Sequence, residues 1–203
     1  MTLVFYTPLK NACLPKASVL NKLPPSRLDR IRSVLRCGKA LELCYVWLLL
    51  DYALRQLGKD ASILQLLTKT LSGKPVFASK SLWCSLSHCR SYVACAVSED
   101  GAVGLDVQEI RLIPRSFYLP YFSENDRALL PTDAAGLCQC WCEKEALVKL
   151  HGDGWTAESK AKDSLGSACK ILWPDKQTCL AVCGAVPTRW QEISTNTLGG
   201  LYE

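Results

Sequence analysis

No two cysteines in the 203-residue chain are spaced as CxxC, so a zinc ribbon or a thioredoxin-like redox site has no support. There is no GxxxxGK[ST] loop and no GxGxxG, which leaves an ordinary nucleotide-triphosphate fold unsupported. Histidine occurs only twice; Ser87 adjoins His88 and no nucleophile elbow is present, so a Ser/His/Asp triad is not indicated. The longest strongly apolar stretch, Cys44 to Leu50, is seven residues, against about 20 for a membrane helix. A soluble protein with no membrane partner is expected. The opening Met1-Thr2-Leu3-Val4-Phe5-Tyr6-Thr7-Pro8 lacks a basic leader region and meets proline early, so no secretory leader is expected.

What is present is ordinary globular material: 49% hydrophobic and 21% charged residues, enough chain to bury a core as one domain or as two packed halves. Cysteine is abundant, at 12 residues. Only Cys138, Cys140 and Cys142 cluster, and on a helix just Cys138 and Cys142 share a face, too few for a metal site. Reduced thiols serving as small core residues are the expectation, in a reducing, cytoplasmic setting. The net charge of +5 is uneven: Arg27, Arg30, Arg32, Arg36 and Lys39 face one acid, Asp29. Such a patch attracts phosphates, acidic proteins or nucleic acid. No aromatic residue interleaves it for base stacking, so nucleic acid is not an expected partner. A solvated helix face remains an equal reading of this cluster.

Leu3 to Tyr6 reads as a strand ended by Pro8. Ser26 is placed as a helix N-cap after Pro24-Pro25, with Gly38 breaking the basic helix and an apolar helix over Leu41 to Leu57. Ile63 to Leu71 also reads as helical. Strands are expected at Leu82–Leu86, Tyr92–Val97 and Ala102–Val107, with Ser87-His88 in a turn and Ser98-Glu99-Asp100-Gly101 as a hairpin turn. Ser123 is expected to cap a short helix. Gly136 to His151 forms a long helix stopped by Gly152-Asp153-Gly154, and Cys169–Trp173 pairs with Thr178–Ala185. The fold class is α+β, compatible with two similar halves, residues 1–100 and 101–203, that face each other as one functional unit.

Two segments carry chemistry. In Val103-Gly104-Leu105-Asp106-Val107-Gln108, Asp106 and Gln108 share a strand face, and Gly104 either admits a close neighbour or marks a bulge. In Trp141-Cys142-Glu143-Lys144-Glu145-Ala146-Leu147-Val148-Lys149, Glu145 and Lys149 share a helix face. Lys144 falls inside an apolar arc of Leu137, Cys140, Leu147 and Val148, from which it could reach a buried phosphate. Mg²⁺ often takes only one or two protein carboxylates, with phosphate and water completing its shell; Asp106 and Glu145 meet that description. Taken alone, Glu145 and Lys149 read rather as an exposed helix pair, Asp106 as a turn residue or helix cap and His88 as structural. His151 at a helix end is read as structural.

In order, Gly73-Lys74-Pro75, Ser85-Leu86-Ser87-His88, Val103-Gly104-Leu105-Asp106 and Trp141-Cys142-Glu143-Lys144-Glu145-Ala146 with Lys149 resemble the 4′-phosphopantetheinyl transferases. Within the wider holo-[acyl-carrier-protein] synthase superfamily, they resemble the larger, monomeric surfactin-synthetase-activator type. The likeness is direct over residues 73–155. It implies two pseudo-symmetric α/β halves packed face to face. It also implies transfer of 4′-phosphopantetheine from coenzyme A to a serine of an apo acyl or peptidyl carrier protein, releasing 3′,5′-ADP, in fatty acid, polyketide or nonribosomal peptide biosynthesis. By position, Asp106 and Glu145, with Gln108 where the family often has a third carboxylate, would hold Mg²⁺ or Mn²⁺. Glu145 would also be the base and Lys149 would stabilise the leaving phosphate. Lys74, Pro75, Ser87 and His88 would contact coenzyme A, with Lys144 helping and Arg30, Arg36 or Lys39 on the 3′-phosphate. Gln108, a weaker ligand, sustains one alternative: a coenzyme A-binding module impaired in transfer that interacts with carrier proteins.

Overall fold

A computed structural model describes residues 1–34, 37–79 and 81–201. Its first sheet has the order β4-β5-β1-β9. Strand β1 (Thr2–Pro8) pairs antiparallel with β5 (Tyr92–Ser98) and parallel with β9 (Arg189–Glu192), while β4 (Trp83–His88) adds antiparallel to β5. Every residue of β5 is buried, because the sheet is covered on both faces and the strand's near-continuous apolar run suits that position. Alternation divides the two faces. Phe5, Val93, Cys95 and Val97 pack on the long helix α3 (Cys37–Gln56), which follows the short helices α1 (Ala17–Leu20) and α2 (Pro25–Arg32). Val4, Ala94 and Ala96 turn the other way, onto Val103, Leu105, Val107, Leu180 and Val182.

Those partners belong to a second, antiparallel sheet, β6 (Val103–Glu109), β8 (Thr178–Gly184) and β7 (Lys170–Leu172) in the order β6-β8-β7. Its far face carries helix α6 (Ala134–His151), with Cys138, Cys142 and Ala146 packed on Cys179, Ala181 and Cys183. The result is a mixed α and β architecture in layers: α3, first sheet, second sheet, α6. Between β6 and α6 lie α4 (Arg115–Tyr118) and α5 (Glu124–Leu129), and α7 (Ala157–Ala161) follows α6. Ser123 caps α5 as expected, accepting from the Asp126 amide at 3.1 Å. The last helix, α8 (Thr195–Gly199), buries Leu198 against the α3 core. Thus β9 and α8, late in sequence, belong to the first sheet's layer.

Several local expectations are corrected. Segment 98–101 is not a hairpin turn: both edges of β5 are occupied by β4 and β1, so the chain crosses to the other sheet. Ser87 and His88 lie inside β4 rather than in a turn. Helix α2 starts at Pro25, with Ser26 inside it; proline needs no amide partner at a first helical position and arrives with its φ preset. Gly38 lies within α3 and does not break it; the break comes after Arg32. The segment expected to be helical from Ile63 becomes a 3-10 turn, Ala61–Leu66, and then β2 (Thr68–Lys69) paired with β3 (Pro75–Val76). Leu64 is buried but Leu66 is 63% exposed, so too little apolar surface is covered to hold a longer helix.

Cys44, Cys84, Cys95, Cys142 and Cys179 are free and buried, and burial pushes the Cys44 and Cys84 thiols up to about 12. One pair departs from the expectation of reduced thiols. The pairing of Lys170 with Val182 sets Cys169 opposite Cys183, at a Cα separation of 4.4 Å, and the two form a disulfide. Among the described residues no helix is long and apolar enough to cross a membrane.

Candidate active site

Helix α6 is fixed at both ends by its own sequence. Asp133 accepts from the Gly136 amide at 2.8 Å at the start, and Gly152, at φ 82°, closes the other end with its amide on the Val148 carbonyl. Between these caps the helix lies directly on β6. A Cβ at Gly104 would sit 2.0 Å from the Ala146 carbonyl oxygen and 2.4 Å from the Leu150 nitrogen, so only glycine lets the two backbones touch. Of the two readings of Gly104, close approach is the one realised.

That contact delivers Lys149 and Glu145 to Asp106. The Asp106 carboxylate is 1% exposed. Its Oδ1 accepts from the Lys149 ammonium at 2.5 Å and the Ser87 hydroxyl at 2.6 Å; its Oδ2 accepts from the Gln108 amide at 2.8 Å. Lys149 also reaches Ser87 Oγ at 3.0 Å. A buried carboxylate is tolerable only with such partners. Ser85 and Ser87 hold the seam as well, accepting from the Leu105 and Val107 amides at 2.9 and 3.2 Å. β4 thereby meets the outer edge of β6 through side-chain hydroxyls.

Glu145 faces the same place. Burial raises its pKa first, the Asp106 charge raises it further, and Lys149 and a bond from Trp155 work against both. That bond runs from the Trp155 indole to Oε1 at 3.3 Å. A cleft of about 250 Å³ is lined by Lys74, Pro75, Leu86, Glu145, Lys149 and Trp155, among others. Lys74 donates to the Leu150 carbonyl at 3.0 Å at the end of α6, and burial lowers its pKa.

Beside Ser87, His88 is tied to α3. Its Nδ1 lies 2.9 Å from Glu42 Oε2 and 3.2 Å from Lys39 Nζ, and Lys39 lies 2.8 Å from Glu42. Burial, then Lys39, hold the imidazole below its ordinary range; Glu42 pulls it up and Lys149 adds to the lowering. A row of cation, acid and imidazole therefore runs into the Lys149–Asp106 pair.

The structure thus gathers Asp106, Gln108, Glu145, Lys149, Ser87, Lys74 and Pro75, with His88 and Lys39 adjoining. Ser87 is turned onto Asp106 and β6, so it orients the carboxylate and does not line the cleft. Arg30 is exposed in the last turn of α2 and does not line the cleft either. Arg36 lies outside the described residues. Lys149 pairs with Asp106 rather than forming the exposed helix pair with Glu145.

Lys144, read as a helper on phosphate, lies away from the cleft. It is fully buried, and its ammonium donates to the Lys162 carbonyl at 2.6 Å and the Lys160 carbonyl at 3.4 Å, with Nζ 5.8 Å from the Phe122 ring centroid. The apolar arc read around it is split between two buried sides, Leu137 and Cys140 on one and Leu147 on the other. The sheet takes Cys138, Cys142 and Ala146, whereas Leu137 packs with Tyr118, Phe122 and Leu130, and Lys144 fills that second side. Sequence reading missed Glu42, although its place one turn after Lys39 was a usable signal, and Trp155, which follows the helix stop with no pattern to mark it.

Among the described residues no three His, Cys, Asp or Glu side chains cluster tightly enough to hold a metal by themselves. Asp106 and Glu145 do place two carboxylates near each other, and after burial the Asp106 charge is what raises the Glu145 pKa. A hard cation that keeps water and phosphate ligands fits such a pair. Gln108 presents its NH₂ to Asp106, so its amide would have to turn over to offer oxygen.

No protein-family model matches the chain. It is 32% identical over 124 residues to the 4′-phosphopantetheinyl transferase AcpT of Salmonella typhi, covering 57% of this chain and 65% of that protein. It is also 32% identical over 130 residues to AcpT of Escherichia coli K12, covering 57% and 64%. A putative 4′-phosphopantetheinyl transferase of Haemophilus influenzae is 28% identical over 115 residues, covering 53% and 49%. The match therefore spans just under two thirds of the AcpT relatives' length.

Proposed function

We propose that this chain is a phosphopantetheinyl transferase that moves the 4′-phosphopantetheine group from coenzyme A to a serine of an apo acyl or peptidyl carrier protein. The observation that carries the reading is Glu145, Lys149 and Lys74 on the wall of one cleft, with the buried Asp106 carboxylate directly behind Lys149 and close enough to act on Glu145. The similarity to AcpT proteins supports it independently.

In this reading the serine oxygen attacks the phosphorus next to the pantetheine arm. A new phosphoester bond forms, the bridging P–O bond breaks, and 3′,5′-ADP leaves. Glu145 takes the serine proton, directly or through a water; its raised pKa brings it toward the working range of a general base. Lys149, released from Asp106 when phosphate arrives, offsets charge on the leaving phosphate. Lys74 and the His88–Lys39 row hold coenzyme A phosphates. Asp106 and Glu145 would hold Mg²⁺, which supplies charge neutralisation on the pyrophosphate; Gln108 joins them only after its amide turns over.

The layered arrangement supports the larger, monomeric surfactin-synthetase-activator type. Residues 1–100 and 101–203 would then be two related halves, with β9 and α8 crossing back to the first. A coenzyme A substrate and a carrier-protein partner fit a cytoplasmic setting.

The test is incubation with coenzyme A, Mg²⁺ and a panel of apo carrier proteins, followed by mass spectrometry for phosphopantetheine on serine. Modification of a carrier, abolished by Asp106→Ala and by Glu145→Ala, is the expected result. Coenzyme A binding with no modification of any carrier would instead leave a binding module.

A further inference from the structure

Trp155 borders the same cleft as the residues already given roles. It is half-buried on the cleft wall, just after the α6 stop, and its ring is locked. Trp141, on α6 one turn before Glu145, stacks on it with centroids 5.2 Å apart and planes 12° from parallel. Tyr121 meets the same ring edge-on at 5.1 Å, and itself lies 5.2 Å from Trp141. An aromatic ring held on two sides has few rotamers left, so its one polar atom points in a fixed direction. That atom, Nε1–H, is aimed at Glu145 Oε1 at 3.3 Å. An indole can only donate.

We infer that Trp155 is a positioning residue: the Trp141–Trp155–Tyr121 stack fixes one oxygen of Glu145, leaving the other to face Asp106 and the reacting serine. The inference rests on the proposed transfer reaction and deepens it. Three groups bear on the Glu145 carboxylate. Asp106 repels it from β6, Lys149 attracts it from its own helix but is engaged by Asp106, and Trp155 alone of the three binds it without moving charge. When phosphate draws Lys149 away from Asp106, the indole bond is the restraint that persists. A carboxylate without it would swing from Asp106, and reacting groups displaced by about 1 Å can lose ~100-fold in rate.

The test compares wild type, Trp155→Phe and Glu145→Ala. Phenylalanine keeps a six-membered ring against Trp141 and removes the donor together with the five-membered ring that carries it. Trp155→Phe is expected to lower kcat about 10- to 100-fold, with KM for coenzyme A and for the carrier within about twofold of wild type. Unchanged kcat overturns the inference. So does a raised KM at constant kcat, since that marks Trp155 as a substrate wall. The indole proton gives a readout independent of catalysis. In ¹H–¹⁵N spectra the Trp155 indole signal, assigned by its loss in Trp155→Phe, should shift upfield in Glu145→Ala as its acceptor disappears. A signal that stays put shows no such bond and overturns the inference even if the phenylalanine variant folds poorly. Should wild type show no transfer while the indole signal still responds to Glu145→Ala, the transferase reading falls and the positioning contact stands.

Discussion

Replacing Gly104 by alanine is the smallest perturbation that reaches the whole site. The added carbon would lie 2.0 Å from the Ala146 carbonyl oxygen, where ordinary contact begins near 3.4 Å. Both Ala146 and Leu150 contribute backbone atoms, so no side chain can step aside and α6 must retreat by roughly 1.4 Å. Overpacking of this kind costs about 3 kcal/mol, which for a chain of this length corresponds to a fall in Tm of about 6–12 °C. The functional loss comes from unequal reach. Lys149 is long enough to follow Asp106 as the helix backs away; Glu145 is short and tied to Trp155, so the two carboxylates separate. Transfer by the folded variant should fall by ~100-fold. Differential scanning fluorimetry and the carrier-modification assay measure the two effects. Gly38→Ala, with nothing within 4 Å of the new carbon, is the control. A Gly104→Ala protein with wild-type Tm refutes the packing argument. One that is destabilised yet fully active when folded refutes the claim that this contact places the carboxylates.

Other outcomes follow from the same geometry. Lys144→Ala leaves the Lys160 and Lys162 carbonyls without their donor and should cost about 3 kcal/mol in urea unfolding, while KM for coenzyme A stays put; a raised KM would restore Lys144 as a phosphate contact. Lys74→Ala should do the reverse at the cleft, raising that KM by ~10-fold; an unaltered KM removes Lys74 from the coenzyme A site. His88 is held below its ordinary range by burial and Lys39, so the unfolded chain takes up the proton first. The stability His88 contributes is full above about pH 6.5 and is lost as pH falls toward the folded-state value. His88→Gln should flatten the stability profile below about pH 6.5, and an unchanged slope there contradicts the assignment. Peptide mapping without reductant should recover Cys169 linked to Cys183; closing a loop with a sequence separation of 14, that link should be worth about 3 kcal/mol, and reductant should lower Tm accordingly.

What the sequence made legible was local. Thr2–Pro8, α3, β6, the Ser123 cap of α5, α6 and the closing β7–β8 pair announce themselves through apolar runs, caps and the glycine stop. Pairing was not legible. Nothing in Arg189–Glu192 says that it will lie parallel to β1, and nothing in Ser98–Gly101 says that β5 has no free edge. The site divides in the same way. Asp106, Glu145 and Lys149 sit in patterned segments, and Gly104 betrayed a close contact. The surroundings of Lys144 were not legible, because a helix buried on two sides has no single apolar face to read. Glu42 reaches His88, and Trp155 reaches Glu145, only through tertiary packing.

The hydroxyl seam between the sheets has a consequence for how this molecule can change over generations. A backbone ladder is indifferent to side-chain identity, so it survives most substitutions. Here the outer edge of β6 is read by Ser85 and Ser87, so the polar part of the join between the sheets is encoded in two codons. Ser87 carries a double duty, because the hydroxyl that serves the join also grips Asp106. A drift at that position cannot loosen the join without disturbing the carboxylate, so the two traits are inherited together.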